Sequence, residues 1–320
     1  MTTLAVTGAL GYSGKAIAER LLARGLRVRT LTNSPNRPNP FGAVLDIRPL
    51  AFHDEAALVG SLRGCDVLIN TYWVRFNHRL FTFDQAVANT RTLFAAAKSA
   101  GVRRIVHVSI MNPDADPSLA YYRGKTALER ELRSLGLSHA IVRPGVLFGR
   151  SDILVNNIAW GLRHFPVFPL FGDGNYLLQP MHVDDFADLV VDAALDSRDL
   201  CLDANGPETY TFRGLAQALA RILGLRRVFL PTPPALAYAG SRLLGPLLHD
   251  TVLTWEEIRG LMGGLLASDR PSRGRIRLSA WAREHRETLG VRYASEVSRR
   301  LDRDRAYDAL GGEHGVAAAC

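Results

Sequence analysis

Tyr121 and Lys125 lie four residues apart in a stretch, Leu119 to Leu135, whose apolar spacing predicts a helix. One helical turn brings both side chains to the same side. A free phenol, with a pKa near ~10, is a weak acid–base group at neutral pH. A fixed ammonium beside it stabilises the phenolate and lowers that value. The remaining N–H donors of the lysine suit a sugar hydroxyl. The pair is therefore suited to proton transfer to or from an alcohol or ketone. The same spacing also describes a helix-face aromatic beside a solvated charge. Lysine is scarce in this chain, limited to Lys15, Lys98 and Lys125 among 39 basic residues, and lysine is not chemically equivalent to arginine. Tyr122, three residues from Lys125, competes for the assignment.

A second constellation is Val6-Thr7-Gly8-Ala9-Leu10-Gly11-Tyr12-Ser13-Gly14. The apolar run Leu4 to Val6 before it reads as a buried strand. Lys15 to Arg24 after it carries Ala16, Ile17, Leu21 and Leu22 at helical spacing and stops at Gly25. Three glycines at intervals of three thus mark a strand-to-helix turn. Glycine permits positive φ and lets peptide N–H groups approach a phosphate. The positive end of the following helix completes an anion site. The turn reads as a dinucleotide site with Thr7, Gly8, Gly11, Tyr12, Ser13 and Gly14 as contacts; the plain alternative is a tight turn with no ligand. The next strand, Leu26 to Thr32, runs into Asn33 and Ser34, with Arg37 in the Pro-rich loop beyond. An acidic residue at this tip binds the ribose hydroxyls of NAD, whereas small polar or basic residues admit the 2′-phosphate of NADP. No carboxylate follows until Asp46. NADP(H) is the preferred cofactor and NAD(H) the alternative. A solvent-facing Arg37 is the competing reading for that residue.

These residues need a scaffold that gathers strand ends. Strands are predicted around Ile47–Phe52, Val67–Ile69, Val102–Val108 and His139–Val142, with helices at 54–63, 86–100 and 119–135 between them. Such alternation gives an α/β fold with a Rossmann-type, doubly wound parallel sheet. Ligands bind beyond the carboxyl ends of such strands. Asn70 at the fourth strand end is therefore a cofactor candidate. Tyr72, Trp73 and Arg75 in the aromatic loop after it are substrate candidates, Arg75 doubling as a possible ion-pair partner. Ser109 follows the fifth strand. Pro144 to Val146 follow the sixth and are expected beside the nicotinamide. After Arg150 the rhythm changes. Helices are expected at 153–164, 184–195, 212–223, 234–248 and 255–266, with a Pro/Gly-rich aromatic loop at 166–180 and a late strand at 200–202. The division is 1–150 for the NAD(P)-binding part, 151–308 for a smaller, mostly helical substrate or cap region interleaved with late strands, and 309–320 for a disordered tail.

Net charge is +8, yet the basic stretch Arg283 to Arg305 alternates with Glu284, Glu287, Glu296, Asp302 and Asp304. That alternation reads as solvated helix faces and argues against nucleic acid. Cys65, Cys201 and Cys320 show no pairing or metal spacing, and no metal is expected. No apolar run reaches membrane-spanning length: Val228 to Leu248 is broken by Pro231, Pro233, Pro234, Arg242 and Pro246. The first strand begins almost at Met1, so no leader is read and a soluble, cytoplasmic monomer or homodimer is expected, with peripheral contact to an acidic membrane surface left open.

The motifs together resemble the short-chain dehydrogenase/reductase superfamily in its extended and atypical branches. The matching pieces are the Thr7–Gly14 turn, the helix carrying Asn89, Val106-His107-Val108-Ser109, Tyr121-x-x-x-Lys125 and Arg143-Pro144-Gly145-x-x-Phe148-Gly149. Gly172-Asp173-Gly174, Gln179-Pro180, Val183-Asp184-Asp185 and Gly206-Pro207-Glu208 extend the likeness to about Leu266. The chain looks most like the group containing the NADPH-binding accessory subunit of respiratory complex I and its bacterial relatives. The resemblance implies hydride transfer between a nicotinamide and a carbonyl or polarised double bond. Tyr121, Lys125 and Ser109 would then be catalytic, and Gln179 would join the substrate residues. Active members usually carry Ser or Thr two positions after the first serine beyond the fifth strand; Met111 stands there. Sugar-nucleotide epimerases tend to carry a diphosphate-gripping arginine shortly after Gly-Asp-Gly, and Asn175 to Leu178 contain none. The expected substrate is a small, fairly apolar metabolite beside Tyr72, Trp73, Phe165, Phe168, Phe171 and Tyr176, unless these rings only pack the two parts together. The alternatives are a non-catalytic NADP(H)-binding assembly or redox-sensing protein and, third, a sugar-nucleotide epimerase or dehydratase.

Overall fold

A computed structural model describes residues 2–310, with the backbone alone at 309 and 310. The elements begin with β1 Thr3–Thr7, α1 Tyr12–Ala23, β2 Arg27–Thr32, β3 Leu45–Pro49, α2 Glu55–Leu62, β4 Val67–Asn70, α3 Phe83–Ser99, β5 Arg104–Val108, α4 Ala120–Ser134 and β6 Ser138–Pro144. They continue with β7 Leu147–Phe148, α5 Leu154–His164, β8 Val167–Phe171, β9 Leu177–Leu178, β10 Met181–His182, α6 Val183–Leu195, β11 Leu200–Ala204, β12 Tyr210–Thr211 and α7 Phe212–Ile222. The last are β13 Val228–Thr232, α8 Pro234–Leu248, α9 Trp255–Met262, α10 Leu278–Glu284 and α11 Glu296–Leu301. The tail expected after the closing 3-10 turn Tyr307–Leu310, with Cys320, lies outside the described residues.

Seven parallel strands form the sheet in the order β11-β6-β5-β4-β1-β2-β3. The fold is the expected Rossmann-type α/β sheet. The central strands β1 and β4 are buried on both faces and read as short apolar runs, whereas β2 and β3 toward one edge carry Arg27, Arg29, Asp46 and Arg48. Leu4 and Val6 point to one face, where α1 and α6 cover them; Ala5 points to the other, toward Leu93, Phe94, Leu128 and Leu132 of α3 and α4. Each fully buried side chain of this kind contributes about 1.5–3 kcal/mol. The chain moves from β1 to β2 and β3 on one side, then crosses to β4 and continues outward on the other. That reversal opens a crevice at the carboxyl ends of β1 and β4.

A second core, built on Phe148, Ile158, Leu170, Leu178, Phe212, Leu215 and Trp281, lies under the C-terminal half. Here the structure corrects the sequence reading. The supposed loop 166–180 contains β8, which pairs in parallel with β13 from Val167↔Val228 to Phe171↔Thr232. Prolines 169 and 231 disguise both strands, because Pro survives only on strands with few ladder partners. Phe168, Phe171 and Tyr176 gather around Phe212 in this core and pack the fold, as the packing alternative had it. Helix α9 ends at Met262, short of Leu266, where Gly263 and Gly264 follow and Gly264 takes φ +66°. The basic stretch 283–305 is also more than solvated faces. After α10 it returns across the mouth of the crevice as α11, with Arg299 buried.

Candidate functional site

The crevice holds a cleft of about 820 Å³ that runs from the glycine turn to Tyr121, within the size range of cofactor sites. The turn is fixed from below. Thr30 Oγ1 accepts from Ala9 N and donates to Val6 O. Thr7 Oγ1 donates to Asn70 Oδ1 and accepts from the amides of Thr71 and Tyr72. Gly8 takes φ +71°, a conformation open to glycine. A Cβ on Gly14 would stand 2.3 Å from Gly8 O, so only glycine lets α1 start this close to the turn. No side chain caps α1 and no acidic residue stands in its first turn. Helices α2, α3 and α9 are capped by Asp54, Thr82 and Thr254, and the starts of α4, α5 and α10, which also lack a cap side chain, give an amide to Glu256, Asp152 and Glu208. The amides at the start of α1 are therefore left for an anion. The donor set fits the pyrophosphate of a dinucleotide.

At the second strand tip, Thr32 Oγ1 accepts from Ser34 N, and Asn33, Ser34 and Arg37 all line the cleft. Asp46 is committed to Arg29 at 2.6 Å and Arg48 at 2.9 Å, so no acid competes at the tip from this strand. Arg37 does not face solvent: it is 8% exposed, and its Nη2 donates to the carbonyls of Arg299 and Asp302. Burial pulls its pKa below the ordinary guanidinium value.

The Tyr121–Lys125 pair is not assembled as its spacing predicts. Tyr121 lines the cleft. Lys125 does not: it is 2% exposed, donates from Nζ to Val108 O at 2.8 Å, and sits 4.2 Å above the Trp73 ring. The Trp73 ring also meets Tyr121 edge-on, 5.6 Å between centroids. One helical turn aligned the two residues, but an indole from the β4 loop packs against both. Burial pulls the Lys125 ammonium down to about 7; the indole face offsets part of that cost. Burial, then Tyr122 and Glu257, push the Tyr121 phenol above its ordinary value. The expected lowering by a neighbouring ammonium is absent from this arrangement.

The other candidates divide by burial. Tyr72, Trp73, Arg75 and Val146 line the cleft with the glycine turn. Asn70, fully buried, holds Thr7 and contacts His107 Nδ1 at 3.1 Å. Its Oδ1 already accepts, so Nδ2 donates to Nδ1 and the His107 proton belongs on Nε2. Ser109 is buried with an unpaired Oγ, because its amide continues the β5–β6 pairing to Val142 O. Pro144 gives its carbonyl to Met111 N, and Met111 is 0% exposed. Neither Ser109, Pro144 nor Asn70 lines the cleft. Gln179 accepts from Ser268 N and Asn205 Nδ2, away from it. Arg75 is an ion-pair partner, 2.5 Å from Glu257. Sequence reasoning missed Phe81, Phe83, Glu256 and Glu257 at the Tyr121 end, and Arg299, Arg300, Arg303 and Tyr307 over the turn. None carries a local signal: each comes from a segment brought in by tertiary packing.

Comparison with known proteins points to the same class of cofactor. Residues 8–155 match the NAD(P)H-binding family. The chain is 26% identical over 283 residues to the mitochondrial NADH dehydrogenase (ubiquinone) 1 alpha subcomplex subunit 9 of Arabidopsis thaliana, covering 82% of this chain and 70% of the plant protein. It is 31% identical over 230 residues to the (4-alkanoyl-5-oxo-2,5-dihydrofuran-3-yl)methyl phosphate reductase of Streptomyces griseus, covering 68% of this chain and 73% of the reductase. Among solved structures, the NADPH-dependent quinone oxidoreductase of Escherichia coli complexed with NADPH superposes with a TM-score of 0.69 at 22% identity, over 83% of this chain and 91% of that one. Among the described residues, no helix is long and apolar enough to cross a membrane. The glycine turn, the open helix start and these relatives lead to one assignment: the chain belongs to the NAD(P)H-binding, atypical short-chain dehydrogenase/reductase family.

Proposed function

We propose that this protein is an NADP(H)-dependent reductase of a polarised double bond in a small, largely apolar metabolite. The observation that carries this reading is the position of Tyr121, in the wall of the same cleft as the glycine turn and beside the rings of Trp73, Phe83 and Tyr122. Bound NADPH would supply a hydride. Its pyrophosphate would be held by the Gly8–Gly14 turn and Ser13, its 2′-phosphate by Asn33, Ser34 and Arg37. The Tyr121 phenol is protonated at neutral pH and, with its pKa raised, is a weak acid, so in this reading it gives up its proton only to a substrate oxygen that is itself becoming strongly basic. It donates the proton that the substrate needs as negative charge develops on its oxygen. Hydride plus proton reduces one C=O, or one C=C conjugated to it. Lys125 is a positioning residue in this arrangement, supporting the Trp73 wall; it reaches a ribose only after the indole moves aside.

One relative supports the substrate class. The reductase of Streptomyces griseus is named for a conjugated carbonyl compound that also carries a phosphate ester. NADPH consumption should be assayed with a panel of quinones, unsaturated lactones and ketones, with UDP-glucose for comparison. Oxidation is expected with at least one conjugated carbonyl and not with the sugar nucleotide.

A second reading is favoured by two observations: Met111 is sealed where a hydroxyl would activate the substrate, and Lys125 is capped by Trp73. In that reading the chain holds NADP(H) without turning it over. Tight NADPH binding with no oxidation by any conjugated carbonyl would select it.

A further inference from the structure

The segment 296–308 crosses the cleft as a strap fastened at both ends. At its start, Asp250 accepts from Tyr293 Oη and from the amides of Glu296 and Val297, and Ser295 caps α11. At its end, Asp308 pairs with Lys15 at 2.7 Å, beside the glycine turn, and accepts from Ser151. Between these points it touches both halves of the site: Arg303 Nη1 donates to Asn33 O and Arg300 Nη2 to Trp73 O.

The strap buries two guanidiniums that make no direct ion pair among the described residues. Arg299 is 4% exposed. Its Nη1 donates to Ser151 O and Tyr307 Oη, while its Nε is buried with no partner. Arg37 likewise gives its Nη2 to two carbonyls of the strap and keeps a buried, unpartnered Nε. Both guanidiniums face the Tyr307 ring, at 4.4 and 5.7 Å. Among the described residues no carboxylate lies within ion-pair distance of either. Glu296 is taken by Arg300 and Asp302 by Arg305. The Asp152 carboxyl, pushed up to about 6 by burial, stays largely ionised at neutral pH, but it accepts from the amides of Val155 and Asn156 and stands beyond ion-pair distance of Arg299. Tyr12 Oη, on the first residue of α1, is also buried without a partner. Guanidinium does not deprotonate to relieve such burial, and an unpaired buried charge is costly. Two such cations beside the open start of α1 call for a ligand with several negative charges in reach of both.

We propose that residues 296–308 form a phosphate clamp of the dinucleotide site, with Arg299 serving the pyrophosphate and Arg37 the ribose 2′-phosphate. The strap must then lift for the dinucleotide to enter or leave. This rests on the NADP(H) reading above and adds to it the C-terminal segment, which contains none of the family's glycine-turn motif. Fork-shaped guanidinium–phosphate pairs supply both strength and geometry.

The test uses the full chain. The bonds after Arg299, Arg300, Arg303 and Arg305 are trypsin sites, so strap opening is read as cleavage there. NADPH is expected to slow that cleavage at least about tenfold, since cleavage follows the open population. NADPH and NADH affinities of Arg299→Gln and Arg37→Gln are then measured by fluorescence titration. Arg299→Gln should weaken both dinucleotides about tenfold or more, and Arg37→Gln should weaken NADPH far more than NADH. Equal cleavage with and without saturating NADPH overturns the clamp while leaving the cofactor reading intact. So does an Arg299→Gln chain, folded by circular dichroism, that binds NADPH at full strength. If Arg299→Gln does not fold, the protease measurement on the unaltered chain decides alone. A chain that binds neither dinucleotide overturns the clamp and the cofactor reading together.

Discussion

The ammonium of Lys125 rests 4.2 Å above the Trp73 ring, and the same ring meets Tyr121 at 5.6 Å. The two residues of the Tyr-x-x-x-Lys motif therefore communicate through an indole. Trp73 is held by more than this: a Cβ on Gly124 would stand 3.0 Å from its ring, so the smallest residue on α4 makes room for it.

Burial of Lys125 gives a pH signature. Its pKa in the folded chain is about 7, against a model-peptide value near ~10.4 for the unfolded one. Between those values the unfolded chain binds more protons, so stability must rise as pH increases from about 7 toward 10. Lys125→Met should flatten that rise and be at least as stable as the parent at pH 7. Urea unfolding at several pH values between 7 and 9.5 checks this; an unchanged slope in Lys125→Met would show that the lysine is not the group responsible.

Gly14→Ala should invert the usual helix preference. Alanine in a helix normally gains roughly 0.5–1 kcal/mol over glycine. Here the added carbon would meet Gly8 O at 2.3 Å, which the backbone must yield to, at a cost of about 1–3 kcal/mol. Thermal unfolding should show a loss of stability, and NADPH titration a drop in affinity of about tenfold or more, because the turn that presents the amides is displaced.

Arg75 tests substrate anchoring against ion pairing. It stands 2.5 Å from Glu257 with both side chains three-quarters or more buried. Arg75→Met leaves Glu257 without its partner and should cost about 2–4 kcal/mol of stability. Arg75→Met with Glu257→Leu should recover much of that, giving a coupling of at least about 1 kcal/mol. Additive losses would remove the structural role and return Arg75 to the substrate.

What the sequence conveyed was local and periodic. The turn Gly8 to Gly14, most of the strands and the missing acid at Thr32–Asn33 are written in consecutive residues, although the strand expected at Ile47–Phe52 lies at Leu45–Pro49. Asp54, the first residue of the expected helix 54–63, caps α2 through Ala57 N. The site's upper wall was not legible. Trp73 intervenes between Tyr121 and Lys125 from a loop about 50 residues earlier, and helical spacing says nothing about insertion from elsewhere. Arg299 looked like one more charge in an alternating basic stretch, yet it is buried because the strap is tied down at Asp250 and Asp308. Prolines 169 and 231 hid a strand pair whose ladder tolerates them.

The central claim, that Tyr121 is the acid of an NADPH-dependent reduction, is tested most directly by Tyr121→Phe. NADPH oxidation with a conjugated carbonyl that the parent accepts is followed alongside NADPH affinity. The expected result is a fall in kcat of about 100-fold or more, the range for losing a general acid, with affinity within about threefold, since the phenol does not contact the glycine turn. A Tyr121→Phe chain that turns over like the parent would contradict it.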